Sequence, residues 1–338
     1  MKPQTIHFKI FVVAFFMSLS GQLFAQDINL TQYRSSPLII NPANTGLIKG
    51  DWRAAINYRN DWNSISVPFI TNSFSYDMSL FKGKLKRSSI GIGVLGTYSQ
   101  SGDGDTEYLS TGLSLAYHQR FGNNPERPST ISLGFQPMYV DKKTSVTYLT
   151  YGPVNVYEVI DVDIDPYLDY NAGLMYSGYI NARSTIYAGI AAYHFTRPIE
   201  TILGDEYKVH NRISTTAGGS YKINKKYNLF YSGVYHQQGK FYDVILGGVG
   251  GMVLNSKQKV AAKKTIIYLG AWYRYNDALA PYFGLEWRKF QLGFSYDVNT
   301  SGLTAATRGR GAFEVSLIYN GAFSKNSGMI SRYAVPRF

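Results

Sequence analysis

From about residue 50 onward, apolar residues alternate with small or polar ones in bursts of roughly ten, the length of a strand that crosses a membrane. A period of two restricts such segments to β-strands, because successive side chains leave opposite faces of a pleated backbone. The pattern is cleanest from Phe290 to Val298. Phe290, Leu292, Phe294, Tyr296 and Val298 share one face, and Gln291, Gly293, Ser295 and Asp297 share the other. Asn72 to Leu80 repeats it, with Phe74, Tyr76, Met78 and Leu80 opposite Ser73, Ser75, Asp77 and Ser79. So many strands of this kind point to a closed antiparallel barrel in an outer membrane, the alternative being a secreted sandwich or propeller.

Composition favours the barrel. The 338 residues include 29 Tyr, 19 Phe and 33 Gly. Tyrosine suits the membrane–water interface, with an apolar ring and a polar tip, and glycine suits tight turns. Mean hydropathy is near zero, as expected when only alternate residues meet lipid. The first 25 residues read as a signal peptide: Lys2 and Lys9 are basic, Ile10 to Leu19 is apolar, and Leu23-Phe24-Ala25 suits cleavage before Gln26. That apolar run is too short for a spanning helix. With no cysteine there is no disulfide framework, lipid-anchoring cysteine or thiolate metal site.

About fourteen segments fit the strand template, an even number as a bacterial single-chain barrel requires. They lie approximately at 51–60, 71–81, 89–99, 106–119, 129–140, 167–178, 184–195, 212–222, 227–237, 241–254, 266–275, 280–288, 290–298 and 312–323, with 141–166 and 196–211 as long loops. The domains expected are a signal peptide (1–25), an N-terminal periplasmic segment (26–50), the barrel (51–323) and a C-terminal periplasmic tail (324–338). Asn41-Pro42-Ala43-Asn44-Thr45-Gly46 is turn chemistry directly before the first strand, placed to fold beneath or into the barrel mouth. Arg53, Asn57 and Arg59 fall on the face opposite Trp52, Ile56 and Tyr58 and should be luminal; Asp77 and Asp297 also point inward. Pairing of these arginines with these acids would fill the lumen.

Net charge is +12, and its distribution is uneven. With the N-terminus in the periplasm, that side carries Lys82, Lys84, Lys86, Arg87, Lys225, Lys226, Lys257, Lys259, Lys263 and Lys264, and the tail adds Arg337 beside Phe338. Acids such as Asp103, Asp105, Asp161, Asp163, Asp165, Glu200, Asp205 and Glu206 gather on the opposite side. A rim of one sign sums to a field that steers an acidic partner, although solvated turns alone also favour lysine. For an exported chain the partner classes are acidic protein, anionic lipid or cell-wall polymer, not nucleic acid.

Chemistry for an enzyme does not assemble. The five histidines are too scattered for a metal-ligand spacing, and His118, His194 and His236 sit late in strands, facing the lumen or the interface. Gly91-Ile-Gly-Val-Leu-Gly96 matches a dinucleotide fingerprint formally but lies inside a strand with no helix following. Asp103 to Glu107 and Asp161 to Asp165 cluster carboxylates on loops, where solvated acids or calcium would both account for them. No catalytic residue, cofactor or metal is assigned.

Two regions carry a family resemblance. The first comprises Gln32-Tyr33, Pro37, Asn41-Pro42-Ala43, Gly46, Tyr58-Arg-Asn-Asp-Trp62, Val67-Pro-Phe69 and Ser75-Tyr-Asp77; the second Phe294-Ser-Tyr-Asp-Val-Asn299, Gly311-Ala-Phe-Glu-Val-Ser-Leu317 and Pro336-Arg-Phe338. The chain resembles the PorP/SprF outer-membrane proteins of Bacteroidetes, over nearly the whole mature length. The resemblance implies a fourteen-stranded barrel of the type IX secretion and gliding-motility apparatus. Implied partners are outer-membrane lipid, the periplasmic ring (PorK/GldK lipoprotein and PorN/GldN), PorE-like peptidoglycan-binding proteins, and the C-terminal domain of a secreted adhesin or other cargo. The expected function is a non-enzymatic adaptor or anchor; a passive porin is the alternative.

Overall fold

The computed structural model describes residues 27–61, 67–81, 85, 87–101, 106–122, 124, 127–150, 156–202, 204–254, 265–302 and 304–323. Its strands are β1 (Trp52–Asp61), β2 (Phe69–Leu80), β3 (Ser88–Ser101), β4 (Thr106–Phe121), β5 (Ser129–Thr150), β6 (Val156–Tyr179), β7 (Ser184–Tyr193), β8 (Ile199–Ile202), β9 (Asp205–Lys208), β10 (Arg212–Lys222), β11 (Tyr227–Gln238), β12 (Phe241–Val253), β13 (Thr265–Arg274), β14 (Ala278–Trp287), β15 (Phe290–Asn299) and β16 (Arg310–Gly321). Fourteen of them close an antiparallel barrel in which β1 pairs with both β2 and β16, and β7 pairs with β10. The β8–β9 pair forms a separate hairpin. Closure leaves no strand edge, which a sheet in lipid requires because nothing there can hydrogen-bond a free backbone group.

Alternation sorts the faces as read. Leu113, Leu133 and Leu269 point outward and stay 59%, 57% and 62% exposed, an apolar surface that only lipid would cover. Ser73, Ser75, Asp77, Ser295 and Asp297 point inward and are buried. A bulge between Tyr296 and Val298 shifts the β15–β16 register.

Two expectations need correction. The 141–166 stretch is not a loop: β5 and β6 continue through it, paired from Lys142↔Ile164 to Thr150↔Val156, as a long hairpin. Ile160, Val162 and Ile164 alternate there with Asp161, Asp163 and Asp165, so the strand period itself runs on through the stretch. The 196–211 loop contains the β8–β9 hairpin. The segment expected near 184–195 is β7, which ends at Tyr193 where His194 takes a left-handed backbone (φ 54°).

The N-terminal segment is not a free periplasmic stretch. It lies inside the barrel as a plug built from two 3₁₀ turns (Tyr33–Ser35 and Pro42–Asn44) flanking the short helix α1 (Pro37–Ile40). Residues 30–48 are buried except Ile39. Pro at the first position of α1 and of the second 3₁₀ turn supplies the helical φ where no backbone donor is needed. The Asn41 side chain caps that second turn by accepting the Ala43 amide at 2.8 Å.

Candidate functional site

The plug crosses the bore from one end to the other. Asp27 sits at the long-loop end, where its carboxylate lies 2.7 Å from His194 Nε2 and 3.4 Å from Arg212. Residues 50 and 51 sit at the short-turn end, where the Asp51 amide donates to the Gly321 carbonyl at 2.8 Å. Between these ends the plug touches every strand of the barrel. On one side, Arg53 of β1 donates to the Asn44 carbonyl, Ser73 of β2 meets Ser36, Leu95 of β3 packs on Leu38, Ser114 of β4 meets Thr45, and Gln136 of β5 donates to the Leu38 carbonyl. Asn41 then donates to the carbonyls of Leu174 on β6 and Ile190 on β7. On the other side the partners are Arg212 of β10, Ser232 of β11, Asp243 of β12, Arg274 of β13, Glu286 of β14, Asp297 of β15 and Glu314 of β16.

The seat has two chemically distinct halves. The wall from β11 to β14 is apolar: Tyr33 and Ile40 pack on Phe230, Val234, Ile245, Val249, Tyr268 and Trp272. Tyr33 meets Trp272 edge-on at 5.7 Å, its hydroxyl bonds Ser232 at 2.6 Å, and the Arg34 guanidinium lies 5.3 Å from the Trp272 ring centre. The wall from β2 to β6 is closely fitted and more polar, with a smaller apolar cluster in which Leu95, Met138 and Val140 surround Leu38. A Cβ on Gly134 would collide with the backbone of Pro42 and Ala43, and one on Gly173 with the Asn41 side chain. The Asn41-Pro42-Ala43 turn is therefore seated against wall positions that only glycine leaves open. His118 completes this side, its Nε2 donating to the Thr45 carbonyl at 2.7 Å while Nδ1 takes the Ser132 hydroxyl at 2.7 Å.

The structure brings the four luminal residues read from the sequence into two clusters. Arg53 and Asp77 are cross-strand partners joined by two hydrogen bonds of 2.9 and 2.8 Å, and Asp77 also accepts the Gly46 amide at 2.7 Å. Arg59 donates to Asp297 at 2.9 Å, to Asp61 at 2.7 Å and to Glu314 at 3.2 Å. All four are at most 5% exposed, deep enough that a missing partner would be costly.

Glu314 is the residue that sequence reading missed. Its carboxylate is fully buried and accepts the Thr31 and Gln32 amides, at 2.9 and 3.0 Å, as well as Asn57 at 2.7 Å. A signal was available: within Gly311 to Leu317, Glu314 shares a face with Ala312 and Ser316, opposite Phe313 and Val315. A lone acid on the small-residue face of a final strand marks a luminal partner.

At the long-loop end, His194 lies beyond β7, between Asp27 and Asp169 at 2.7 and 2.8 Å. Burial opposes its charge, but the Asp27 and Asp169 carboxylates outweigh that and push its pKa up to about 10. The imidazolium therefore holds the plug tip as a charged latch at neutral pH. Glu200 of the β8–β9 hairpin is buried against Lys142 and Tyr167, both at 2.9 Å, which fastens that hairpin to the base of the long one. Asp165 is exposed on β6, and Asp205 and Glu206 are exposed on β9. The Asp161–Asp165 stretch is strand rather than loop.

The basic rim is described in part. Arg87, Lys225 and Lys226 are exposed at the short-turn end, joined there by Arg183, Lys222 and Arg288. Lys82, Lys84, Lys86, Lys257, Lys259, Lys263, Lys264, Arg337, Phe338, Asp103 and Asp105 lie outside the described residues.

Fold and lumen define a class: an outer-membrane β-barrel whose bore is filled by its own N-terminal segment. The family model for the type IX secretion system membrane protein PorP/SprF matches residues 22–319, and the chain belongs to that family. No curated protein matches it. Among solved structures it is similar in fold to the Pseudomonas putida toluene transporter TodX (10% identity, TM-score 0.51, covering 88% of this chain and 98% of that one). It is similar also to the Ralstonia pickettii toluene transporter TbuX (10%, 0.50, 84% and 92%) and to the monoaromatic hydrocarbon channel CymD (8%, 0.50, 85% and 93%). At these identities the likeness concerns the barrel alone.

Proposed function

We propose that this barrel is a non-enzymatic adaptor or anchor of the type IX secretion and gliding machinery, closed to passive diffusion. The observation that carries the reading is the plug's contact with every barrel strand, which suits a rigid platform better than a pore. In outer-membrane barrels the short turns face the periplasm. Arg87, Arg183, Lys222, Lys225 and Lys226 at that end then present one sign of charge toward the periplasmic ring, or toward a peptidoglycan-binding protein. The long β5–β6 hairpin and the exposed acids of β9 would face the secreted adhesin or other cargo domain.

Arg183, Lys222 and Lys225 test the periplasmic half of this proposal. They sit on two neighbouring turns, linked where the Lys222 amide donates to the Arg183 carbonyl at 2.8 Å. Changing all three to Glu is expected to leave the barrel folded and inserted while reducing recovery of the periplasmic ring with it by roughly tenfold or more. Surface display of the cargo should fall in parallel. Unchanged ring recovery and unchanged display in an inserted variant would refute the docking role.

A further inference from the structure

The rim has a second feature, at the seam where the barrel closes. Trp287, Phe290, Tyr319, Trp52 and Tyr76 stand on five consecutive strands of the closed order, from β14 through β15, β16 and β1 to β2. Four of these rings form a continuous shelf on the outer face, and Trp287 stands opposite Phe290 in the β14–β15 ladder. Phe290 meets Tyr319 at 4.8 Å, Tyr319 meets Trp52 at 5.0 Å, and Trp52 meets Tyr76 at 5.6 Å. Trp287 is 49% exposed and Phe290 39%, so the shelf is open toward the lipid boundary. Such rings seat at headgroup depth.

Two cations lie over this shelf. Arg288 and Lys289 are the whole turn between β14 and β15, with the Arg288 guanidinium 4.6 Å from the Trp287 ring centre and Lys289 Nζ 5.9 Å from that of Tyr319. Arg288 takes a left-handed backbone (φ 58°) at a hairpin position where glycine or asparagine is usual. No carboxylate pairs with either cation among the described residues. The nearby acids are engaged elsewhere: Glu286 accepts the Tyr268 hydroxyl at 2.6 Å and faces Lys49, and Asp51 accepts the Phe323 amide at 2.8 Å.

We infer that this seam is a binding site for an acidic phospholipid of the leaflet at the short-turn end. Arg288 and Lys289 take the headgroup phosphate, and the aromatic shelf takes the glycerol and upper acyl region. A phosphate fits because two fixed cations 4.6 and 5.9 Å above aromatic rings sit at the boundary between headgroup and hydrocarbon.

Native mass spectrometry of the full mature barrel, reconstituted with phosphatidylethanolamine and phosphatidylglycerol, tests this. The wild type is expected to retain phosphatidylglycerol above its bulk share, on the order of tenfold for two surface cations. Arg288→Gln with Lys289→Gln should return it to the bulk ratio, while Lys208→Gln at the opposite end should change nothing. If the double variant does not fold, 1 M NaCl on the wild type should strip the same enrichment. Enrichment that survives both the double variant and high salt would overturn the site. So would a double variant that keeps its lipid but loses the periplasmic ring, which would assign these cations to a protein partner. Neither result depends on whether the lumen conducts.

Discussion

Deleting residues 27–45 while retaining Gly46 to Asp51 is expected to turn a silent barrel into a steady conductor in planar bilayers. The deletion removes the plug's contacts with nearly every strand but spares the barrel's own ladders. Arg53 and Asp77 still pair, Asp77 still accepts the Gly46 amide, and Arg59 still faces Asp297 and Glu314. Glu314 loses the Thr31 and Gln32 amides but keeps Asn57 and Arg59. The wall from β2 to β6, lined by serines, threonines, Gln136 and His118, would then wet. A folded deletion variant that stays electrically silent would mean that something other than this segment blocks the bore.

The second large effect is expected at Glu314. Truncation to alanine strips acceptors from two plug amides, from Asn57 and from Arg59, all inside a fully buried cluster. Removing one partner of a buried ion pair typically costs about 3–5 kcal/mol, because the surviving charge is left uncompensated. The folded barrel should therefore be lost at lower temperature or denaturant, as read by heat-modifiable migration on gels. Arg59→Ala should cost a similar amount, and the double variant less than the two singles together, since each single change already breaks the shared contact. A wild-type unfolding profile for Glu314→Ala would show that the cluster does not secure the plug.

Strands were legible because lipid imposes a strict contrast between faces. Phe294 and Leu292 against Ser295 and Asp297 leave one solution, and it places Arg53 and Asp77 on the luminal face as well as Phe74 on the lipid face. The plug was not legible in the same way. Residues 27–50 carry no period, since a chain packed on all sides inside a lumen has no single buried face to write into its sequence. Only the Asn41–Gly46 turn hinted at a fitted shape, and the glycines that receive it, Gly134 and Gly173, read locally as ordinary strand glycines. The β5–β6 extension was missed for another reason: Ile160, Val162 and Ile164 alternate with Asp161, Asp163 and Asp165 in strand period, but so many acids between Gly152-Pro153 and Pro166 read as a solvated loop. Charge at the rim was visible as a count of lysines. That Arg288 and Lys289 lie over rings drawn from five strands depends on closure, which brings β16 beside β1 and is invisible along the chain.

Planar-bilayer recording on the intact, unmodified protein tests the central claim most directly. The plug's hold on every strand predicts no steady pore, with current appearing only when residues 27–45 are removed. A large, steady, ohmic conductance from the intact barrel would contradict the account and return the chain to the class of passive porins.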